Sequence, residues 1–187
     1  MINLVLLQSL IFNMVVDIRY ATIHNFTNSI LYPASAELYL TQEAAHALQG
    51  AAVEFEKLGY RLKIWDAYRP LSVQKRLWSV IPDERYVANP VQGSRHNRGC
   101  AVDLTLVDKD GCELDMGTEF DDFSLRAGRS YSDLPEQVIQ NRSLLDSIML
   151  RHGFEGMPTE WWHFDYQGWQ NYPILDVSFE ALAAGHK

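Results

Sequence analysis

Several large protein classes are excluded by what this sequence lacks. It has two cysteines in 187 residues, Cys100 and Cys112, too few for the disulfide framework of a small secreted domain. Two free thiols in a reducing compartment are the expectation. There is no basic excess, since 24 Asp and Glu oppose 16 Lys and Arg. That balance argues against a nucleic-acid partner, whose phosphates demand a basic face. Repeats and low-complexity tracts are missing. No apolar run is long enough to span a membrane. The most apolar stretch, Met1 to Val16, has no Lys or Arg ahead of it and is interrupted by Asn3, Gln8, Ser9 and Asn13. It is expected to dock on the fold of a cytoplasmic protein, with a weak export signal and a periplasmic location as the alternative.

What is present is a globular composition, 47% hydrophobic and 12% aromatic, sized for one domain over 1–187 with its own core. A short strand is expected over Ile18–Thr22. Ala44, Ala45, Leu48, Ala51, Ala52, Phe55 and Leu58 recur at helical spacing, with Thr41 as N-cap and Gly59 as stop. Tyr60 to Trp65 alternates as a strand, and Arg69 follows it immediately before Pro70. A second helix is expected over 72–80, then a loop over 82–93 that could border a cleft. Ala101 to Val107 alternates, with Asp103 opposite the apolar side formed by Val102, Leu104 and Leu106. Asp108 to Gly111 is a turn, after which Cys112 to Leu114 could return as a hairpin strand. A long polar loop, a third helix over 135–152 ending at Gly153, and an aromatic strand over Glu160–Tyr166 complete the pattern. Helices and hairpin-like strands are mixed rather than strictly alternating. The expected class is α+β, a central mainly antiparallel sheet flanked by helices, with a metal site at the sheet.

The chemistry concentrates in Ser94 to Asp103 and Glu160 to His163. Together these stretches hold two imidazoles, a carboxylate ligand and one further carboxylate, the inventory of a catalytic zinc site with an open fourth position and a nearby base. His96 and Asp103 are seven residues apart, with Gly99 permitting a loop between them, and His163 comes from a separate strand. Spacing alone does not single these out. His24, His46, His152 and His186 have no comparable company and read as structural.

The run Ser94-x-His96-x-x-Gly99-x-Ala101-x-Asp103, followed by Glu160-x-x-His163, resembles the zinc D,D-peptidases, and most of all the D-alanyl-D-alanine dipeptidase family. Arg19-Tyr20-Ala21-Thr22, Asn25-Phe26, Tyr68-Arg69-Pro70, Leu104-Thr105-Leu106, Met116-Gly117, Phe120-Asp121 and Trp161-Trp162-His163 extend the resemblance over residues 19–164. It implies one zinc ion per chain on His96, Asp103 and His163, and hydrolysis of a small D,D-dipeptide by water that the zinc activates. Glu160 would be the general base, and Arg69 would stabilise the oxyanion. Ser94 and Asp121 would receive the substrate amino group, and Tyr20 would close the pocket. In a regular strand Glu160 and His163 point to opposite faces, so a bend or bulge near Trp161 is required. The chain departs from the family at Cys100 and in the short 82–93 loop, which could open the cleft. Two other readings stand beside this one: a D,D-carboxypeptidase trimming peptidoglycan stem peptides, and a zinc-stabilised binding module like the related hedgehog signalling domains. Retention of both Glu160 and Arg69 weighs against the latter.

Overall fold

Chain segments distant in sequence are brought side by side in a five-stranded sheet. The computed structural model describes residues 3–185, so His186 lies outside the described residues. Among them, β1 (Leu4–Leu6) pairs antiparallel with β3 (Tyr39–Thr41) in a small sheet. The main sheet runs in the order β2 (Val15–Val16), β4 (Arg61–Asp66), β5 (Ala101–Val107), β7 (His163–Tyr166), β6 (Phe154–Gly156). Only the β2–β4 pair is parallel. The helices are α1 (Gln42–Lys57), α2 (Leu71–Val80), α3 (Glu136–Arg151) and α4 (Phe179–Gly185). This is the α+β architecture with a mainly antiparallel sheet. No described helix is long and apolar enough to cross a membrane.

Where one side chain face decides the fold, the sequence pattern holds. The α1 stripe of Ala44, Ala45, Leu48, Ala51, Ala52 and Phe55 is buried, whereas Leu58, expected to continue it, lies just past the helix and is exposed. Gly59, at φ +86°, follows in the left-handed region that glycine enters without strain. All seven residues of β5 are buried, so the Asp103 face is covered rather than solvated as its alternation suggests.

Three expectations are corrected. Ile18–Thr22 is not a strand: Arg19–Ala21 forms a 3-10 turn, fixed as the Thr22 hydroxyl and Asn25 side-chain amide donate to backbone carbonyls of the same loop. The aromatic strand starts at His163, not Glu160, because residues 157–162 form the turn of the β6–β7 hairpin. Cys112–Leu114 returns as one bridge, Val107 to Glu113, rather than as a strand.

Candidate active site

Strand register sets the site as a row across the sheet. Asp66 stands opposite Asp103 on β4 and β5, after a register shift between Ile64 and Asp66, and Asp103 stands opposite His163 on β7. His96 enters from the loop before β5. That loop turns through His96–Arg98 and reverses at Gly99, φ +65°. A Cβ there would lie 2.5 Å from Leu4 Cδ2 and 3.2 Å from the Thr41 backbone nitrogen, so a side chain at position 99 is disfavoured by both the backbone conformation and its neighbours. The Arg69 N–H donates to His96 O (3.1 Å) and the Asn97 amide donates to Arg69 O (2.8 Å), lacing the loop to the segment after β4.

His96, Asp103 and His163 are brought together with one ligand atom each, all within 4.8 Å of one another. The outer partners decide which nitrogen each imidazole presents. His96 Nδ1 lies 2.6 Å from Ala67 O, so it carries the proton and leaves Nε2 facing inward. His163 Nε2 lies 2.9 Å from Asp165 Oδ1, so Nδ1 faces inward. Such outer acceptors fix the tautomers of metal-binding histidines. The two inward nitrogens are 3.2 Å apart, with Asp103 Oδ1 2.9 Å from His163 Nδ1 and Oδ2 3.3 Å from His96 Nε2. Lone pairs and a carboxylate so close repel unless a proton or cation lies among them. A tetrahedron with bonds of ~2.0–2.1 Å to nitrogen has edges of about 3.3 Å, so the donor set fits zinc.

The electrostatics of the buried row are cationophilic. Burial alone would raise the Asp103 carboxyl, but the imidazoles of His96 and His163 hold it well below the usual carboxylate range. Burial pushes Glu160 up to about 7, against the opposing pull of His163. Asp121 is raised well above its ordinary value by burial, then by Asp103 and Glu160. Its φ of +62° is a left-handed conformation that Asp tolerates better than most residues.

Arg69 is held rigidly. Its Nε and Nη2 donate to Asp66 Oδ2 (2.9 and 2.6 Å), its Nη1 donates to Gln74 Oε1 (2.8 Å), and its guanidinium lies 5.2 Å from the Tyr20 ring centroid. Asp66 in turn accepts from the Tyr32 hydroxyl and the Ala67 N–H. The Tyr20 hydroxyl donates to Asp121 Oδ2 at 3.2 Å, and Ser94 Oγ accepts the His96 N–H at 3.2 Å.

Tyr20, Arg69, Ser94, His96, Asp103, Asp121, Glu160 and His163 all line one cavity of about 110 Å³. Every residue singled out in the sequence for the site is therefore in it. The 82–93 loop borders the same cavity through Glu84, Tyr86, Val87 and Ala88. It walls the cleft, contrary to the expectation that it opens it, as Tyr86 packs on Phe123 at 4.8 Å between ring centroids. Trp161 and Trp162 are both buried, and Trp162 also lines this cavity. Cys100 is buried, and its thiol is pushed up to about 11 by that burial, which makes it inert rather than oxidation-sensitive.

Three supporting residues were missed in the sequence. Asp66 and Asp165 each left a signal: Asp66 ends the strand three residues before Arg69, and Asp165 shares the face of His163 at the strand period of two. Gln74 left none.

A family model described as D-ala-D-ala dipeptidase matches residues 1–180. The chain is 38% identical to the D-alanyl-D-alanine dipeptidase of Escherichia coli, over 89% of this chain and 86% of that protein. It is 33% identical to the D-alanyl-D-alanine dipeptidase of Enterococcus faecalis, over 79% of this chain and 83% of that protein. Among solved structures it is similar to a vancomycin-resistance D,D-dipeptidase in complex with a D-Ala-D-Ala phosphinate analogue. That match has 21% identity and a TM-score of 0.43, and covers 84% of this chain and 62% of that one.

Proposed function

The chain belongs to the D-Ala-D-Ala dipeptidase family, and on that premise we propose that it is a zinc metallopeptidase hydrolysing D-alanyl-D-alanine, or a closely related D,D-dipeptide, to free amino acids. One observation carries the reading: three inward-facing donors share a cavity with a base, a fixed guanidinium and a further carboxylate. His96 Nε2, the Asp103 carboxylate and His163 Nδ1 would hold the zinc. When bound, the ion would supply Lewis acidity, bringing deprotonation of water within reach of neutral pH.

The chain's own residues account for the remaining steps. Glu160 would accept the proton of the attacking water and return it to the leaving amine. In the metal-free protein burial pushes its carboxyl up to about 7, and a bound dication would favour the ionised, proton-accepting form. Arg69 would face the oxygen that gains charge in the transition state. Because Asp66 and Gln74 already fix its guanidinium, no reorganisation is required as that charge develops. Asp121, with the Tyr20 hydroxyl on it, would accept the substrate ammonium. The ammonium in turn would offset the burial and the repulsion from Asp103 and Glu160 that raise the Asp121 pKa.

Asp121→Asn should lower kcat/KM for D-alanyl-D-alanine by about 10- to 100-fold, the effect of losing a hydrogen bond to a charged group worth ~1.5–3 kcal/mol. Turnover of the amino-acetylated dipeptide should be left where it was. Unchanged discrimination between the two substrates would remove Asp121 from amino recognition.

Function as a whole is tested by D-alanine release from zinc-loaded protein given the free dipeptide, its amino-acetylated form and a stem pentapeptide. Turnover of the free dipeptide alone is expected. Preference for the blocked or longer substrate would move the assignment to a D,D-carboxypeptidase. Zinc binding without turnover of any of the three would leave a binding module.

A further inference from the structure

The hairpin turn that carries Glu160 and leads into His163 is wrapped around a largely buried guanidinium. Arg129 Nε donates to Met157 O, and its Nη2 donates to both Trp161 O and His163 O, each at 2.8 Å. Its Nη1 pairs with Asp146 of α3. The cation lies over the Phe164 ring, 4.3 Å from its centroid, and the Arg129 N–H donates to Pro158 O at 3.0 Å. Every one of these carbonyls belongs to residues 157–163, the segment bracketing the base and the third metal ligand. Gly156 forms the socket: a Cβ at that position would fall 2.1 Å from Arg129 Cζ and 2.3 Å from Nε.

We propose that Arg129, seated against Gly156, is a positioning residue for the reaction: it sets the path of residues 157–163 and so aims Glu160 and His163 into the cavity. Carbonyls shielded from water need donors, and one guanidinium supplies a donor to Trp161 O and a second donor to each of Met157 O and His163 O. A planar guanidinium presents five N–H groups in a fixed fork and can serve all three while keeping Asp146. A lysine ammonium is a point charge with three donors and cannot reproduce that fork. The turn also closes on itself, with Met157 N–H donating to His163 O (3.1 Å) and Glu160 N–H to Met157 O (3.3 Å), and Arg129 reinforces the same two carbonyls and ties the turn to α3 through Asp146. The proposal rests on the dipeptidase reading, because the base and ligand roles come from it.

The test uses the full zinc-loaded chain with Arg129→Ala, Arg129→Lys and Gly156→Ala, the last expelling the guanidinium without removing a polar group. Folding is checked by circular dichroism. Each variant should lose kcat on D-alanyl-D-alanine by roughly 100-fold with KM little changed, the cost of about 1 Å of misplacement at the reacting centre. Zinc dissociation constants, read by chelator competition, should rise about 10-fold or more. Millimolar guanidinium should restore part of the kcat of Arg129→Ala but none in Gly156→Ala, whose socket is filled. A folded Arg129→Ala or Gly156→Ala protein with wild-type kcat and wild-type zinc affinity would overturn the proposal. So would a kcat loss in Arg129→Ala that guanidinium leaves untouched. Should Arg129→Ala not fold, Gly156→Ala decides alone by the same two readouts. Wild-type protein inactive on the dipeptide would fail the dipeptidase reading instead, and the zinc constants would still test Arg129.

Discussion

Glu160→Gln should reduce kcat by about 10³-fold, within the range of general acid–base catalysis, while bound zinc is retained. The side chain is not one of the three donors that converge at the metal position, so its loss removes a proton acceptor and leaves the ion's ligands intact. The same substitution should stabilise the metal-free fold. Burial raises the Glu160 pKa from 4.5 to about 7. Because the folded-state value is the higher one, folding is favoured by the proton, and stability falls as pH rises from about 4.5 towards 7. At roughly 1.4 kcal/mol per unit, ionising Glu160 costs the chelated protein on the order of 3 kcal/mol above neutrality. A neutral amide of the same shape avoids that cost. Thermal unfolding of chelated wild type and Glu160→Gln at pH 8 should show the variant with the higher Tm, the signature of a residue kept for activity at the expense of stability. A variant with near wild-type kcat, or one that loses its zinc, would take the base role away from Glu160.

Chelation should abolish turnover and unsettle the row across β4, β5 and β7. At a thousandfold excess over its dissociation constant, an ion that binds only the native state contributes ~4 kcal/mol, roughly a 10 °C change in Tm for a chain of this length. Zinc should restore both activity and Tm in the wild type and neither in His163→Ala. Reloading should also release a proton. Burial by itself lowers the His163 pKa, but Asp165 and Asp103 outweigh it and carry the imidazole up to about 10. In the chelated protein His163 should therefore be protonated at pH 7.5, its Nδ1 lying 2.9 Å from Asp103 Oδ1 and 3.2 Å from His96 Nε2. Zinc must take the place of that proton, so about one should be released per ion bound at pH 8. Apparent affinity should fall about tenfold per pH unit from 10 down to about 7, and more steeply below as Glu160 also takes up a proton. Calorimetry in buffers of different ionisation enthalpy measures the proton count. A count of zero would mean that His163 is already neutral, and that Asp165 orients it without charging it.

The sequence by itself determined the parts that depend on local pattern and on residue type. The apolar spacing of α1, the alternation of β5, the stop at Gly59 and the turn at Gly99 are short-range consequences of side-chain period and backbone sterics. His96, Asp103 and His163, with Glu160, Arg69, Asp121, Ser94 and Tyr20, were singled out by the resemblance of their motifs to the zinc D,D-peptidases, since residue type and spacing alone left other choices open. Tertiary structure alone decided how those groups are aimed. The β6–β7 turn, not a bulge in a strand, lets Glu160 and His163 face one cavity. The aromatic alternation through Trp161 and Trp162 hid that turn, since both indoles are buried for packing whatever the backbone does around them. Register placed Asp66, Asp103 and His163 in one row, and pairing partners far apart in sequence leave no mark in the short-range period. Ala67 O and Asp165 chose the imidazole tautomers, and Arg129 gathered the carbonyls of 157–163. Every residue has a carbonyl, so a site supported by backbone oxygens carries no signature in the side-chain sequence.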